Sequence, residues 1–196
     1  MTARRVSKKP APGTAKQIGK AQVPADARSA DPIDAAAFKF AMRKVPSPVA
    51  VITTVSAGRR YGLTATAICT ATADPPTILV SINRAAAACP VIEETGIFAV
   101  NFLTEDQSEI ARLFTPTKRG ADVLQDDARF HRGDWTQAPQ GAPVLRGAVC
   151  GFDCTLVQII ANGTHNLFLG EVTNATATSE SGLLYRDRLF RRLATE

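Results

Sequence analysis

Apolar and β-branched residues in this chain gather in short runs separated by Gly, Pro and Asn, a spacing that predicts strands more often than helices. Residues 1–31 show no such period; Lys, Arg, Ala, Pro and Gly alternate with scattered apolar residues. A stretch like this cannot bury enough surface to offset its ordering entropy, so a disordered basic tail is expected. The remainder, 32–196, is expected to form one domain. Asp34 offers an N-cap to a helix bearing Ala37, Phe38, Ala41 and Met42, which Pro46 and Pro48 end.

Strand signals then dominate. Residues 49–55 are continuously apolar or β-branched, as a strand buried on both faces requires. Gly58 marks a turn, and one strand is expected from Tyr61 to about Thr72. Asp74-Pro75-Pro76 forces another turn before the buried strand 77–82. Residues 90–94 suggest a single helical turn closed by Gly96, followed by a strand over 98–103. Thr104 and Gln107 form a capping box for a helix with Ile110, Leu113 and Phe114 on one face. Residues 115–142 are polar and punctuated by Gly and Pro, the pattern of a long surface excursion. Two long strands, 148–161 and 166–177, are joined at the hairpin signal Asn162-Gly163, and a short strand follows at 183–185. Consecutive strands with few short helices predict a mainly β fold, an antiparallel barrel with peripheral helices, because closure removes sheet edges.

The chain has 196 residues and a net charge of +5, but the charge is unevenly placed. Residues 1–34 hold seven basic and three acidic side chains, leaving sixteen basic and fifteen acidic in the rest. The body therefore lacks the global positive field that grips a nucleic-acid backbone, and no nucleic-acid partner is expected. One local exception is the C-terminal group Arg186, Arg188, Arg191 and Arg192, interrupted by Asp187. No apolar run reaches the length of a spanning helix, so no membrane association is expected. The N-terminus has no apolar leader core, which makes the cytoplasm the expected compartment. The four cysteines (Cys69, Cys89, Cys150 and Cys154) form no C-x-x-C pair, and buried thiols are the expectation. Cys150 and Cys154, four apart on a strand, would lie about 13 Å apart, too far for a disulfide. No metal site is expected.

Three stretches could carry chemistry. Residues 62–72 are small throughout, with Thr and Ala alternating over Thr64, Ala65, Thr66 and Ala67. Such a strand lets a flat ligand approach the backbone, although a half-exposed strand with Thr outward gives the same pattern. Ser81, Ile82, Asn83 and Arg84 end a buried strand immediately before a helix, a possible phosphate seat or an ordinary polar loop. Gly163-Thr164-His165 lies at a hairpin, where a lone His can be a ligand contact or merely solvated. No G-x-G-x-x-G occurs, so a Rossmann dinucleotide site is absent.

The order of these segments carries more than any one of them. Pro46-Ser47-Pro48-Val49 and the strand after it, Gly62-Leu63-Thr64-Ala65, Asp74-Pro75-Pro76 and Ser81-Ile82-Asn83-Arg84 are the first of them. Gly96-Ile97-Phe98, Ala111-Arg112-Leu113-Phe114, Gly163-Thr164-His165 and Leu183-Leu184-Tyr185-Arg186 continue it. Collinear over roughly 35–190, the set resembles the short-chain flavin reductases, the reductase components of two-component flavin-dependent monooxygenases. The resemblance implies a flavin-binding split β-barrel of Greek-key type, forming a homodimer. It implies an NAD(P)H:flavin oxidoreductase that reduces FMN or FAD with NADH or NADPH and serves a monooxygenase partner. Pro46, Ser47, Pro48 and Val49, with Thr64, Ala65, Thr66 and Ala67, would line the isoalloxazine ring. Ser81, Ile82, Asn83, Arg84 and Ala87 would approach the ribityl phosphate, Phe114 would complete the cofactor contacts, and His165 would act beside the nicotinamide.

Two departures qualify that pattern. Alanines fill 85–88 where the family often places Ser or Thr, which leaves backbone N–H groups and Arg84 to hold the phosphate. Thr164 stands where the family commonly has Asp, which removes a carboxylate from beside His165. Reductases of a corrinoid or ferric complex, and flavin or haem carriers without turnover, are the other functions this fold allows.

Overall fold

A computed structural model describes residues 31–115 and 126–193. The predicted tail, apart from Asp31, and residues 116–125 of the polar excursion lie outside the described residues. Twelve strands are assigned among the described residues. Seven of them form one antiparallel sheet: β2 (Ala50–Ser56), β3 (Arg59–Ala65), β4 (Ile68–Ala73), β5 (Pro76–Asn83), β6 (Ile97–Phe102), β9 (Cys150–Asn162) and β10 (His165–Ala177). Their order, β3-β2-β6-β9-β10-β5-β4, puts β3 and β4 at opposite edges. In a flat sheet those edges would stand roughly 29 Å apart at about 4.8 Å per strand. Only Thr66 and Ala67 connect them, and the three Cα steps from Ala65 to Ile68 span at most about 11 Å. The sheet must therefore roll into a barrel, and β3 and β4 meet at a seam without pairing.

The single strand expected from Tyr61 to Thr72 is thus two strands, broken at Thr66-Ala67 where the chain crosses the seam. The barrel interior is filled by Ile52, Val80, Ile82, Phe98, Val100, Cys154 and Phe168, all fully buried. Packing there depends on Gly170, since a Cβ at that position would lie 2.3 Å from the Phe98 ring. Three helices are peripheral. In α1 (Ala35–Met42) the Asp34 carboxylate accepts the N–H groups of Ala36 and Ala37, as expected of the cap, yet no α1 residue is buried. α2 (Ala88–Thr95) is longer than the single turn expected and ends at left-handed Gly96. α3 (Ser108–Leu113) begins after half of the capping box: Gln107 Oε1 accepts the Thr104 N–H at 3.0 Å.

A second core covers the outer face of β2 and β6, made by Val49, Val51, Leu103, Ile110, Phe114, Phe130 and Leu145. This corrects the reading of 115–142 as surface. Phe130 on the 3-10 helix Asp126–His131, and the pair β7 (Trp135–Gln137) and β8 (Pro143–Leu145), pack onto the barrel. Buried polar groups fix that attachment: Asn101 Oδ1 accepts the Leu145 N–H at 2.8 Å, and Thr53 donates to the Pro143 carbonyl at 2.5 Å. A third sheet joins β1 (Ser47–Pro48) to the hairpin of β11 (Leu184–Arg186) and β12 (Leu189–Arg191). Among the described residues no helix is long and apolar enough to cross a membrane.

Candidate active site

The seam is where backbone groups are left over. Thr66 and Ala67 fall between ladders, and their N–H groups donate to none of the described residues. The Ala67 carbonyl accepts the Ser81 N–H at 2.9 Å, which fastens the end of β5 to the seam. Thr64 faces away from it: its N–H goes to the Phe114 carbonyl at 3.0 Å and its hydroxyl to the Ala111 carbonyl at 2.7 Å.

A cleft of about 820 Å³ opens beside the seam. Pro48 and Val49 form one wall, the stretch from Ile68 to Thr72 another, and Phe102, Cys150 and Phe152 the floor. The wall at Pro48 is held by pairing of β1 with β11 and by the Val49 N–H to the Leu183 carbonyl at 3.1 Å. The lining is almost wholly apolar and broad enough for a flat tricyclic ring, and its Ile68 wall directly follows Thr66 and Ala67, whose N–H groups donate to none of the described residues. These residues fit a flavin.

Beyond the seam, the other expected residues assemble at the ends of β5 and β10. His165 pairs with Asn83 across the ladder. The Arg84 N–H donates to the Thr164 carbonyl at 3.0 Å, and its guanidinium to the Gly163 carbonyl at 3.3 Å. Asn83 Oδ1 accepts the Ala85 N–H at 2.9 Å, shaping the turn into α2, whose first residues no side chain caps. The Thr164 hydroxyl lies 2.9 Å from His165 Nδ1. Nearby, Asn166 donates to Glu93 at 2.6 Å, while its own Oδ1 is buried with no partner among the described residues. Burial, reinforced by Glu93, pushes the Cys89 thiol up to about 11, so it stays protonated and inert.

Several expected contacts are corrected. Phe114 is fully buried, its ring against Phe130, Trp135 and the backbone of Gly62 on β3, because the outer core needs it. The Ile82 and Ala65 side chains face the barrel interior and offer a ligand only backbone. The Thr64 hydroxyl is committed to α3. The structure brings Pro48 and Val49 to the cleft, which is lined by the start of β5 and the end of β10; Ser81, Asn83, Arg84 and His165 group outside that lining, toward the opposite ends of the two strands. Phe102, Cys150 and Phe152 escaped the sequence reading, since alternation along a barrel strand does not distinguish a cleft floor from ordinary packing.

Residues 42–194 match the sequence profile of the flavin reductase like domain. An FMN reductase (NADH) RutF of Methylorubrum extorquens is 39% identical over 169 residues, covering 84% of this chain and 78% of that protein. A protein of the same name from Serratia proteamaculans is 36% identical, covering 80% and 86%. Among solved structures, the Streptomyces globisporus NADH:FAD oxidoreductase SgcE6, in complex with NAD and FAD fragments, superposes with a TM-score of 0.75 at 29% identity. That likeness covers 84% of this chain and 95% of the other. BorF, the flavin reductase component of a bacterial two-component tryptophan halogenase, has a TM-score of 0.72 at 28% identity, covering 83% and 100%. Profile, relatives and barrel agree, and the chain belongs to the flavin reductase like family.

Proposed function

We propose that this chain is an NADH:flavin oxidoreductase that reduces FMN and delivers it to a partner monooxygenase. The observation that carries the reading is the apolar cleft bordered by Pro48 and Val49 beside the unpaired N–H groups of Thr66 and Ala67, in a chain similar to named FMN reductases. Bound flavin supplies the redox chemistry, accepting a hydride from reduced nicotinamide. The protein's part is placement. Pro48 and Val49 wall the ring and exclude water from one face, while Thr66 and Ala67 donate to its carbonyl edge. Arg84 and the Ala87 N–H would receive the phosphate, while Asn83, by accepting the N–H groups of Ala85 and Ala86, shapes the turn. His165, held by Thr164, presents its Nε2 to the nicotinamide carboxamide.

A homodimer fits the exposed surface. Phe38 (55% exposed), Phe40 and Met42 project from a helix with no buried residue. An eight-residue helix is marginal without tertiary cover, and a second copy supplies it. Val157, Ile159 and Ile160 are also exposed where β9 overhangs β6. Steady-state NADH oxidation by the purified protein, with and without FMN, tests the activity. FMN-dependent turnover is expected; flavin binding without turnover would make the protein a carrier. Light scattering at micromolar concentration tests the dimer, and a monomer mass would exclude it.

A further inference from the structure

The β11–β12 hairpin builds a second cleft. Strand alternation puts Tyr185 and Phe190 on one face, where their rings pack at 5.5 Å and Arg112 lies over Phe190. The other face carries Leu184, Arg186 and Arg191, Leu184 pairing with Arg191. With Pro46, Asp187 and Arg192 they enclose about 520 Å³, a volume in the range of small-molecule sites. This cleft shares Leu184 with the apolar cleft and begins two residues from Pro48.

Its charges are unbalanced. Asp187, the acid of the lining, is already neutralised by Lys44 at 2.9 Å, which holds its carboxyl below the usual range. Arg192 is engaged by Asp106 at 2.7 Å and Glu105 at 3.5 Å. Arg186 and Arg191 form no hydrogen bond or ion pair among the described residues, although Arg186 also helps to lower the Asp187 carboxyl. The turn between them holds Asp187 and Arg188 at φ 52 and 66, a conformation costly for side-chain-bearing residues and kept by no glycine. Two unpaired guanidiniums on one face of a concave wall form a receptor for phosphate oxygens.

We propose that this cleft binds the pyrophosphate of the nicotinamide dinucleotide, through Arg186 and Arg191, while the nicotinamide reaches the apolar cleft past Pro48. The location of the nicotinamide rests on the reductase reading above; the anion site does not. The test uses ADP as the probe, with the full chain, Arg186→Gln/Arg191→Gln, and Arg146→Gln as a single-charge control remote from the cleft. Expected are ADP binding that adenosine does not compete for, and an ADP Kd raised at least about ten-fold in the double variant. The NADH KM should rise similarly, with kcat and FMN Kd within about two-fold of wild type and melting temperature unchanged. An unchanged ADP Kd, or an equal loss in Arg146→Gln, would overturn the site. Loss only of flavin delivery to an oxygenase, with ADP binding intact, would overturn it in favour of a docking surface for an acidic protein. If ADP binding falls as expected but the wild-type chain never oxidises NADH, the cleft stands and the reductase reading fails.

Discussion

Two hairpins, one bearing His165 and the other Arg186 and Arg191, are built on opposite terms. β9–β10 has thirteen residues in each strand and runs through the barrel, with Phe168 buried inside. β11–β12 has three in each and lies on the periphery. The long hairpin turns through Gly163 at φ 56, and Arg84 donates to that turn's carbonyl. The short one turns through two non-glycine residues and leaves Arg186 and Arg191 without an ion pair among the described residues. A long, well-packed hairpin can hold an imidazole in a fixed place. A short, strained one instead holds charge ready for a partner that brings its own phosphates.

The sharpest way to break this contrast is at the anchor of the long hairpin. Gly170→Ala forces a methyl into the Phe98 ring and should cost about 1–3 kcal/mol in denaturant unfolding. A loss below a few tenths would mean the barrel interior yields easily. At the tip, His165→Ala should lower kcat/KM for NADH by roughly five- to thirty-fold, the equivalent of about 1–2 kcal/mol. FMN Kd and melting temperature should hold, and His131→Ala, whose ring contacts the Ala128 carbonyl in the outer layer, should do little. Equal rates in the two variants would reduce His165 to a hairpin residue.

The turns themselves make a mirrored pair. A Cβ at Gly163 meets nothing within 4 Å, so Gly163→Ala reports backbone strain alone and should lose about 1 kcal/mol. Arg188→Gly should gain a similar amount, seen as a higher melting temperature. Shifts of the same sign would show the two turns are not comparable. The smallest effect is expected at Asp153 of β9, a buried carboxylate whose side-chain oxygens find no partner among the described residues. Burial raises its pKa, so the folded protein keeps this proton to higher pH than the unfolded chain does. Its contribution is therefore best in acid and is lost as pH rises through the ordinary Asp range to the raised value. Asp153→Asn should stabilise more near neutral pH than in acid, and a pH-independent difference in unfolding midpoint would reject that cause.

The sequence was most readable where one local rule decided the outcome. Asp34 caps as expected because its carboxylate needs only the next two N–H groups. β-branched runs became β2 and β5, and Asn162-Gly163 announced a hairpin whose two loop residues are Gly163 and Thr164. Long-range packing was not readable. Nothing in alternating Thr and Ala marks the break at Thr66-Ala67, because small residues suit a strand and a seam equally. Phe130 and Leu145 stand among polar neighbours, and only the outer face of β2 makes them core. Of the expected site, Pro48 and Val49 line the apolar cleft, and Ser81, Arg84 and His165 gather at the ends of β5 and β10; Phe114 is buried, since a ring next to a motif can equally serve the layer beneath it. β12 and its positive φ angles left no signal, for the turn lacks the glycine that usually announces one.

The seam has a mechanical consequence. β3 and β4 share no ladder, and Ser81 N–H to Ala67 O is the backbone bond that ties β5 to the crossing segment. Parting this lip therefore breaks no strand pairing, and what resists it is the interior packing of Leu63 and Ala65 against β5. A protein whose product must leave to be useful elsewhere gains from such a hinge: the gap can widen for exit while the sheet from β2 to β5 stays intact.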